Sequence, residues 1–333
     1  MRIALDAMGS DACPIPDVAG AVLAARAWGD TIYLVGDEPR LKTELAKHDT
    51  SSLKLEIVPA KDVIGMEDKP GIVGKSKPDS SMHVGMNLVK SGSADAFVTA
   101  GNTGAALSIA TLFTLRRISG VKRPALTAIL PLGNARPIVL DVGANADSKP
   151  DWLAQFALMG KLYAQASSGI AEPRVALLSN GEEEGKGNAV IHEAAALIRD
   201  LPVRFTGNIE PKDVLRGEAD VVVMDGFVGN IFIKTMEAAT RTMANALRDE
   251  IMASTVTKIG GALARPAFRR VQKQIDPFEV GGAPLLGVNG VVIIGHGRSN
   301  DTAIMNAIGQ ARRAVQGKVI ESIEAGLKTY SLA

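Results

Sequence analysis

The chain has 333 residues, a 46% hydrophobic composition and a net charge of +1. The length suits one large α/β domain with an aliphatic core, and the balanced charge gives no global indication of a nucleic-acid partner. A single cysteine, Cys13, excludes an internal disulfide. The sequence begins without a signal-peptide core and contains no apolar run of about 18 residues. We therefore expect a cytoplasmic protein that at most contacts a membrane surface.

Short β-branched runs alternate with stretches of helical length along most of the chain. Strands are predicted at Arg2–Asp6, Thr31–Val35, Lys54–Val58, Ala94–Val98, Leu126–Leu130, Pro137–Asp141, Arg174–Leu178, Val203–Thr206, Ala219–Met224 and Val291–Ile294. Helices are predicted at Pro16–Trp28, Pro39–Lys47, Ser80–Ser91, Thr103–Leu115, Pro150–Ser167, Asn188–Asp200, Asn230–Arg248 and Thr302–Gly317. The polar segment Pro59–Ser81 is predicted to be a long loop. This alternation predicts a three-layer, Rossmann-like α/β fold with a mainly parallel sheet covered on both faces.

We expect a single large α/β domain over residues 1–333 with a helical, basic insertion at about 241–280. Within Arg241–Lys273, seven Lys or Arg residues stand against two acids, Asp249 and Glu250. The same segment carries an apolar stripe at four-residue spacing, formed by Leu247, Ile251, Ile259 and Leu263. Such a stripe indicates a core or an interface more often than membrane contact.

Polar residues and glycines follow five of the predicted strands. The strand ends are Asp6-Ala7-Met8-Gly9, Thr99-Ala100-Gly101-Asn102-Thr103-Gly104, Asp141-Val142-Gly143-Ala144-Asn145, Ser179-Asn180-Gly181-Glu182 and Asp225-Gly226-Phe227-Val228-Gly229-Asn230. In open α/β sheets ligands bind beyond the carboxyl ends of the strands, so we expect one polar crevice along that edge. Any one motif could be ordinary turn and cap chemistry, but the five together favour a site.

Two glycine-rich turns are candidate anion cradles. Gly181–Asn188 precedes a predicted helix and combines three acids, three glycines and Lys186. Free N–H groups at a helix start suit phosphate, although the spacing is not that of a Walker A loop. Ala100–Ala106 is the second cradle, and its spacing departs from the dinucleotide-binding fingerprint. The alternative for Gly181–Asn188 is an acidic, capped helix start.

Several single residues are candidates for chemistry. Asn230 and Lys234 lie at i, i+4, so they share one helix face and could reach a phosphate or a carbonyl oxygen; alternatively, Asn230 is a cap and Lys234 is solvated. The four histidines lack metal-ligand spacing, so zinc is not expected. His296, after an apolar strand, is the better candidate for general acid–base work, and His83 is second. Cys13 is a weak candidate nucleophile.

Six motifs, in order along the chain, resemble the bacterial phosphate acyltransferase family (PlsX). They are Asp6-Ala7-Met8-Gly9-Ser10-Asp11, Ala100-Gly101-Asn102-Thr103-Gly104, Leu140-Asp141-Val142-Gly143-Ala144-Asn145, Asn180–Asn188, Asp225-Gly226-Phe227-Val228-Gly229-Asn230 and Gly281–Gly290. The resemblance runs from Met1 to about Gly317. Ser10 departs from the glycine usual in the family, and Cys13 is also unusual there, which argues against a thiol nucleophile.

The resemblance implies a fold like that of phosphate acetyltransferases and isocitrate-type dehydrogenases. It implies transfer of a fatty acyl group from acyl carrier protein to inorganic phosphate, without a metal or another cofactor. The acyl phosphate would then serve a membrane enzyme that acylates glycerol 3-phosphate in phospholipid synthesis. The resemblance further implies a homodimer with peripheral membrane association in some members.

With this chemistry in mind, we expect a site built from both glycine-rich turns. The expected catalytic residues are Lys186, Asn230, Lys234 and His296. The expected substrate- and phosphate-binding residues are Asp6, Gly9, Gly101, Asn102, Thr103, Gly104, Asn145, Gly185, Asn188, Asp225 and Gly229. The expected carrier-protein docking residues are Arg265, Arg269, Arg270 and Lys273.

Three other functions remain open at the level of sequence. A dehydrogenase of the same fold would need acids around a divalent cation, which Asp141, Asp225 and Glu182–Glu184 could supply, but no arginine cluster for a hydroxy acid is evident. A phosphate acetyltransferase would use acyl-CoA as its donor. A non-enzymatic scaffold would recruit carrier protein to the membrane.

Overall fold

The computed structural model describes residues 1–133 and 135–330. The strands are β1 Arg2–Asp6, β2 Thr31–Gly36, β3 Leu55–Pro59, β4 Ala96–Thr99, β5 Ala125–Ile129, β6 Ile138–Leu140, β7 Arg174–Leu178, β8 Arg204–Ile209, β9 Val221–Val223, β10 Ala283–Leu286 and β11 Val291–Ile294. The helices are α1 Ile15–Trp28, α2 Glu38–Leu45, α3 Pro70–Ser76, α4 Ser81–Lys90, α5 Thr103–Ser108, α6 Pro150–Ser168, α7 Ala189–Arg199, α8 Pro211–Arg216, α9 Gly226–Met252, α10 Thr255–Ile275, α11 Asp301–Gln316 and α12 Val319–Thr329. A π-helical turn, Ile109–Phe113, continues α5 directly.

The strands form one 11-stranded sheet in the order β3-β2-β1-β4-β11-β10-β5-β6-β9-β7-β8. Most neighbours pair in parallel, which confirms the predicted α/β class with a mainly parallel sheet. The pairs β11–β10, β10–β5 and β5–β6 are antiparallel. Because these three reversals follow one another, the β6-β9-β7-β8 group runs opposite to the β3-β2-β1-β4-β11 group.

This reversal places the polar strand ends at two opposite ends of the sheet. The carboxyl ends of β1, β4 and β11 share what we call the β1 end, and those of β6, β9, β7 and β8 share the β9 end. Strands of four or five residues separate the two ends by about 13–17 Å. The expectation of a single polar edge is therefore wrong. The element that reverses the direction, β10, lies in a segment rich in Gly and Pro that was not predicted as a strand.

Helices cover both faces of the sheet, because successive strand residues point to opposite sides. On one face α1, α6, α7, α11 and α12 pack on the largest core cluster. On the other face α3, α4 and α5 cover the β1–β4–β11 side, whereas α8 and the start of α9 cover the β6–β9–β7 side. Between these two groups of helices, Ala128 on β5 and Ala283 on β10 remain half-buried although their strands are central. We call this strip of β10 and β5, with α5 on one side and α9 on the other, the trough.

α9 and α10 form a helical hairpin that leaves the body of the protein. Gly226 and Gly229 are the buried residues of α9, and α10 has none. Large apolar side chains are exposed on the hairpin, including Val256 at 80% and Leu263 at 79%. None of the described helices combines the length and the hydropathy that crossing a bilayer requires.

Candidate active site

The loops after β1 and β4 are in direct contact at the β1 end. The buried carboxylate of Asp6 accepts hydrogen bonds from Thr99 Oγ1 (2.8 Å) and from the Met8 N–H (3.1 Å). Burial raises the pKa of Asp6, and these hydrogen bonds oppose that rise. A Cβ on Gly9 would lie 2.8 Å from the backbone nitrogen of Gly101, so the two loops can approach this closely only with glycine there.

Asn102 connects the start of α5 to the segment before α3 at this end of the sheet. Its Oδ1 accepts from the Ala105 N–H (3.0 Å) and so caps α5. Its Nδ2 donates to the carbonyls of Gly65, Met66 and Asp68 in the long predicted loop. The side-chain amide is therefore occupied by the protein itself.

Thr103 and Gly104 form the first turn of α5 at the same end. Thr103 is exposed, so its hydroxyl can reach a substrate. A Cβ on Gly104 would lie 2.6 Å from Pro70 Cγ, so this glycine lets α3 pack against α5.

His296 lies at the β1 end, in the loop after β11. The Asp11 N–H donates to the Gly297 carbonyl (2.8 Å), which joins this loop to the loop after β1. His296 is exposed, and its Nδ1 accepts from the Arg298 N–H (3.1 Å). That bond makes Nδ1 an acceptor, so Nε2–H is the ring group that can donate a hydrogen bond to a substrate.

Asp141 organises the β9 end. It is fully buried, and its carboxylate accepts from the N–H groups of Leu126, Gly143, Ala144 and Asn145 at 2.7–3.1 Å. Burial raises the pKa of Asp141, and these hydrogen bonds counteract the rise. Nδ2 of Asn145 donates to Asp141 (2.8 Å), so Asn145 also serves the loop.

Asp225 begins α9 beside this loop. Its carboxylate accepts from the N–H groups of Phe227 (2.9 Å) and Ser148 (2.7 Å), which ties the helix start to the segment before α6. A Cβ on Gly229 would lie 1.9 Å from the Asp141 carbonyl oxygen. The helix therefore packs on the backbone of Asp141, at a distance that only glycine permits.

Asn230 and Lys234 are exposed on α9. The Cβ position of Gly143 lies 3.7 Å from Asn230, and the neighbouring Val142 and Ala144 pack with the cluster beneath α3, α4 and α5. This flank of α9 thus faces the trough. The helix runs back from the β9 end, so Lys234 lies about 6 Å nearer the β1 end than Asn230.

The loop after β7 carries the acidic, glycine-rich motif at the β9 end. Asn188 accepts from the Ile191 N–H (3.0 Å) and caps α7, and Asn208 Nδ2 donates to the carbonyls of Glu183 and Lys186 (3.1 Å each). Gly185 and Lys186 are exposed. Because β9 lies between β6 and β7, this loop is two strands away from Asp141.

Three acids at the β9 end lie close enough to share a cation: Glu182, Glu210 and Asp213. The Lys212 ammonium already lies 3.1 Å from both Glu182 and Glu210. Asp213 pairs with Arg216 at 3.3 Å. The group is therefore compensated by its own lysine and arginine.

The structure divides the predicted site residues into three groups. At the β1 end lie Asp6, Gly9, Gly101, Asn102, Thr103, Gly104 and His296. At the β9 end, or on α9 rising from it, lie Asn145, Gly185, Lys186, Asn188, Asp225, Gly229, Asn230 and Lys234. On α10, exposed and apart from both, lie Arg265, Arg269, Arg270 and Lys273. Thr103, Asn230, Lys234 and His296 offer exposed polar atoms around the trough, while Lys186 lies outside it.

One polar pair near the β1 end was missed at the level of sequence. Asp17 in the first turn of α1 is fully buried, and its Oδ2 accepts from Ser10 Oγ (2.5 Å). Burial raises the pKa of Asp17 to about 7. The available signal was an acid preceding the apolar residues Val18 and Ala21 on the inner side of a helix.

The covered, mainly parallel sheet with glycine-lined loops at both ends places the chain in an α/β fold class that solved phosphotransacylase structures share. The chain superposes on a phosphotransacetylase from Streptococcus pyogenes with a TM-score of 0.58 and 18% identity, over 94% of each chain. A branched-chain phosphotransacylase from Enterococcus faecalis gives a TM-score of 0.57 and 14% identity, over 95% of this chain and 99% of the other. At these identities the likeness shows the fold.

Sequence comparison gives the family. A family model described as fatty acid synthesis protein matches residues 1–322. The phosphate acyltransferase of Geobacter sulfurreducens is 45% identical over 99% of this chain and 96% of its own length, and that of Anaeromyxobacter dehalogenans is 48% identical over 96% and 89%. The chain therefore belongs to the phosphate acyltransferase (PlsX) family and is an acyltransferase.

Proposed function

We propose that the enzyme transfers a fatty acyl group from acyl carrier protein to inorganic phosphate, and that the acyl phosphate feeds glycerophospholipid synthesis. The observation that carries the proposal is the trough, whose borders bear exposed groups suited to an anion and a carbonyl. Lys234 and Asn230 border it on α9, and Thr103 and His296 lie at its β1 end. Membership of the family supports phosphate and an acyl group as the reactants.

In the proposed reaction a phosphate oxygen attacks the thioester carbonyl. The carbonyl oxygen gains charge, the C–O bond forms, the C–S bond breaks and the carrier thiolate leaves. Lys234 would hold the phosphate together with Asn230, one turn before it on α9, and Thr103 at the β1 end would donate to the carbonyl oxygen where charge develops. Holding both reactants in line supplies much of the rate enhancement, since effective molarities reach about 10⁵ M or more.

His296 would assist the departure of the thiolate by donating a hydrogen bond from Nε2–H to the sulfur, and the released thiolate takes its proton from solvent. A phosphate dianion is itself nucleophilic, so a strong general base is not required. If the His296→Ala variant keeps near-normal turnover, the thiolate leaves without this hydrogen bond and the assigned role is wrong.

Most of the other predicted binding residues would act by shaping the loops. Asp6, Asn102, Asn145 and Asp225 satisfy backbone groups of the loops that border the trough. The glycines at 9, 101 and 229 permit the close contacts between those loops and α9. Gly185, Lys186 and Asn188 would form a second anion site two strands away rather than part of the reaction centre.

The α9–α10 hairpin would form the interface of a homodimer. Its exposed apolar side chains, with Val256 and Leu263 foremost, need a cover in water, and a second hairpin offers a matching one. Basic residues on the same helix would also allow the dimer to rest on an anionic membrane surface. From there acyl phosphate could pass to the membrane enzyme that acylates glycerol 3-phosphate.

The experiment that tests the donor is release of free carrier thiol from palmitoyl carrier protein with and without phosphate. Palmitoyl-CoA is run beside it. We expect phosphate-dependent release from the carrier protein. Release from palmitoyl-CoA alone would assign the enzyme an acetyltransferase-like donor, and release from neither would contradict the proposal.

A further inference from the structure

A basic groove lies at the β9 end, outside every group of residues discussed above. It has a volume of about 690 Å³ and lies between the π-helical turn, the segment that leads to β5 and the start of α6. Arg116, Arg117, Lys122, Arg123 and Trp152 line it.

The charge of the groove is largely uncompensated. Arg116, Arg117 and Arg123 are exposed, and none forms an ion pair with an acid of the described residues. Lys122 pairs with Asp151 at 2.8 Å. Lys149 adds a further cation nearby, with Nζ 5.9 Å from the Trp152 ring centre. A surface of this kind favours a strongly acidic partner.

Apolar surface accompanies this charge. Leu112, in the wall of the groove, is 55% exposed, and the adjoining Phe113 is 37% exposed. The Arg123 guanidinium lies over Trp152 at 4.9 Å. Aromatic and arginine side chains around an apolar centre are typical of protein interfaces.

The arginines are presented by a braced turn. Arg116 has φ +67°, an uncommon backbone conformation for a residue with a side chain. Asn289 supports it from the motif before β11: the Asn289 N–H donates to the Arg116 carbonyl (2.9 Å), and its Nδ2 donates to the carbonyls of Leu115 and Arg117. A turn held in this way presents charge at little entropic cost on binding.

The groove leads directly to the trough. Pro124 follows Arg123, and its carbonyl accepts from Asn145 Nδ2 (2.8 Å) in the loop organised by Asp141. Beyond that loop lies Asn230 on α9. A partner seated in the groove would therefore enter the trough from the β9 end, opposite His296.

We infer that this groove is the docking surface for the acidic acyl carrier protein. The inference rests on the proposed function, because that function supplies an acidic partner whose acyl arm must reach the trough. Charge complementarity selects this partner, and the braced turn and the continuity with the trough favour this surface over the basic residues of α10. Arg265, Arg269, Arg270 and Lys273 then remain with the hairpin and its own interface.

The test is charge reversal in the double variant Arg116→Glu/Arg123→Glu, with Arg117 left intact because its guanidinium donates to the Lys122 carbonyl. We expect the KM for palmitoyl carrier protein to rise about 10-fold or more at low salt, with the difference shrinking as salt screens the charges. Turnover of palmitoyl-pantetheine, which lacks the protein, should stay within about 2-fold. Lys54→Glu/Arg204→Glu, which changes one exposed cation just before β3 and one at the start of β8, is the control.

Binding of fluorescently labelled holo-carrier protein is measured by anisotropy on the same variants. Weaker binding to Arg116→Glu/Arg123→Glu than to the control supports the groove, even if the wild-type enzyme fails to turn over acyl carrier protein and the proposed function falls. An unchanged Kd and KM in this variant would overturn the inference while leaving the proposed function intact. If Kd and KM instead increase only in the variant Arg269→Glu/Arg270→Glu, the carrier protein docks on the hairpin and the inference is overturned.

Discussion

Three buried aspartates near the strand ends and α1 differ in how the protein compensates them. Asp141 accepts five hydrogen bonds, and Asp6 accepts from Thr99 and Met8. Asp17 receives one, from Ser10, and its Oδ1 has no partner among the described residues. A carboxylate with so little compensation keeps its proton to a higher pH than an exposed aspartate does.

The Asp17 carboxyl makes stability depend on pH. Its pKa is raised from 3.8 to about 7, so the native state keeps a proton that the unfolded state loses between pH 4 and 7. The free energy of unfolding therefore falls as pH rises through that window, by roughly 4 kcal/mol. Asp17→Asn removes the titration.

We expect Asp17→Asn to melt at a higher temperature than wild type at pH 8, and the difference to shrink towards pH 4.5. Thermal unfolding followed by circular dichroism across this range measures it. The control is Asp11→Asn, an exposed change in the loop that carries Ser10, which should keep the wild-type profile. A constant difference for Asp17→Asn at all pH values would contradict the assignment.

Lys234 and Lys186 were both predicted to be catalytic, but their surroundings in the structure differ. Lys234 lies on the flank of α9 facing the trough, whereas Lys186 lies in an acidic loop two strands away. We expect Lys234→Ala to lower kcat/KM for phosphate about 10²–10³-fold, and Lys186→Ala less than about 10-fold. Steady-state kinetics at varied phosphate concentration measures kcat/KM for both variants, with Lys54→Ala as the control. A larger loss in Lys186→Ala would move the reaction centre to the loop after β7.

Much of the site chemistry could be predicted from residue types, but not how each residue uses its atoms. The motifs containing Asn102, Asn145 and Asp225 were predicted to contact substrate. In the fold their polar atoms are largely taken by backbone groups. A polar residue at a strand end can be recognised in the sequence. The loop that supplies its hydrogen-bond partners depends on the fold and cannot be.

At the scale of elements, α9 shows why some boundaries could not be predicted. The helix was expected to begin at Asn230 and begins at Gly226. Two glycines in four residues are typical of a turn, yet here they allow the helix to pack on Asp141. Similarly, α3 lies inside the predicted loop Pro59–Ser81, where Pro70 supplies a helix start that polar composition obscured.

The glycine at 229 is a test of this packing. Gly229→Ala would place a Cβ 1.9 Å from the Asp141 carbonyl oxygen, and neither backbone can move without disturbing the loop. We expect a loss of more than about 3 kcal/mol in the free energy of unfolding. The matched control is Gly260→Ala in α10, where the new methyl group meets open space and should stabilise by up to about 1 kcal/mol. Equal effects of the two changes in denaturant titration would refute the close contact.

The exposed apolar side chains of the hairpin lead to a prediction about the oligomeric state. Val256→Asp/Leu263→Asp changes two exposed side chains, so the fold of each subunit should persist. We expect wild type to sediment as a dimer and this variant as a monomer. The control is Lys258→Asp, which lies on the same helix but on a different face from Val256 and Leu263. If the double variant is still a dimer, Val256 and Leu263 do not form the interface. Binding to anionic vesicles would then test whether these side chains contact a membrane.

At the scale of the whole molecule, the class of fold could be predicted and the arrangement of its halves could not. Alternating strands and helices indicated a covered, mainly parallel sheet, which is confirmed. Strand direction depends on which strands become neighbours, and Ala283–Leu286 reverses it through pairing with β11 and β5. Motifs that look equivalent along the chain thus lie at opposite ends, linked by the trough and by α9.

In the proposed function, phosphate itself receives the acyl group in this trough. The most direct measurement incubates the enzyme with palmitoyl carrier protein and ³²P-labelled phosphate, separates the lipid fraction and treats it with hydroxylamine. We expect labelled palmitoyl phosphate that hydroxylamine converts to palmitoyl hydroxamate with release of the label, and much less of it from Lys234→Ala. Free palmitate with no labelled lipid would mean that water is the acceptor and would contradict the proposed function.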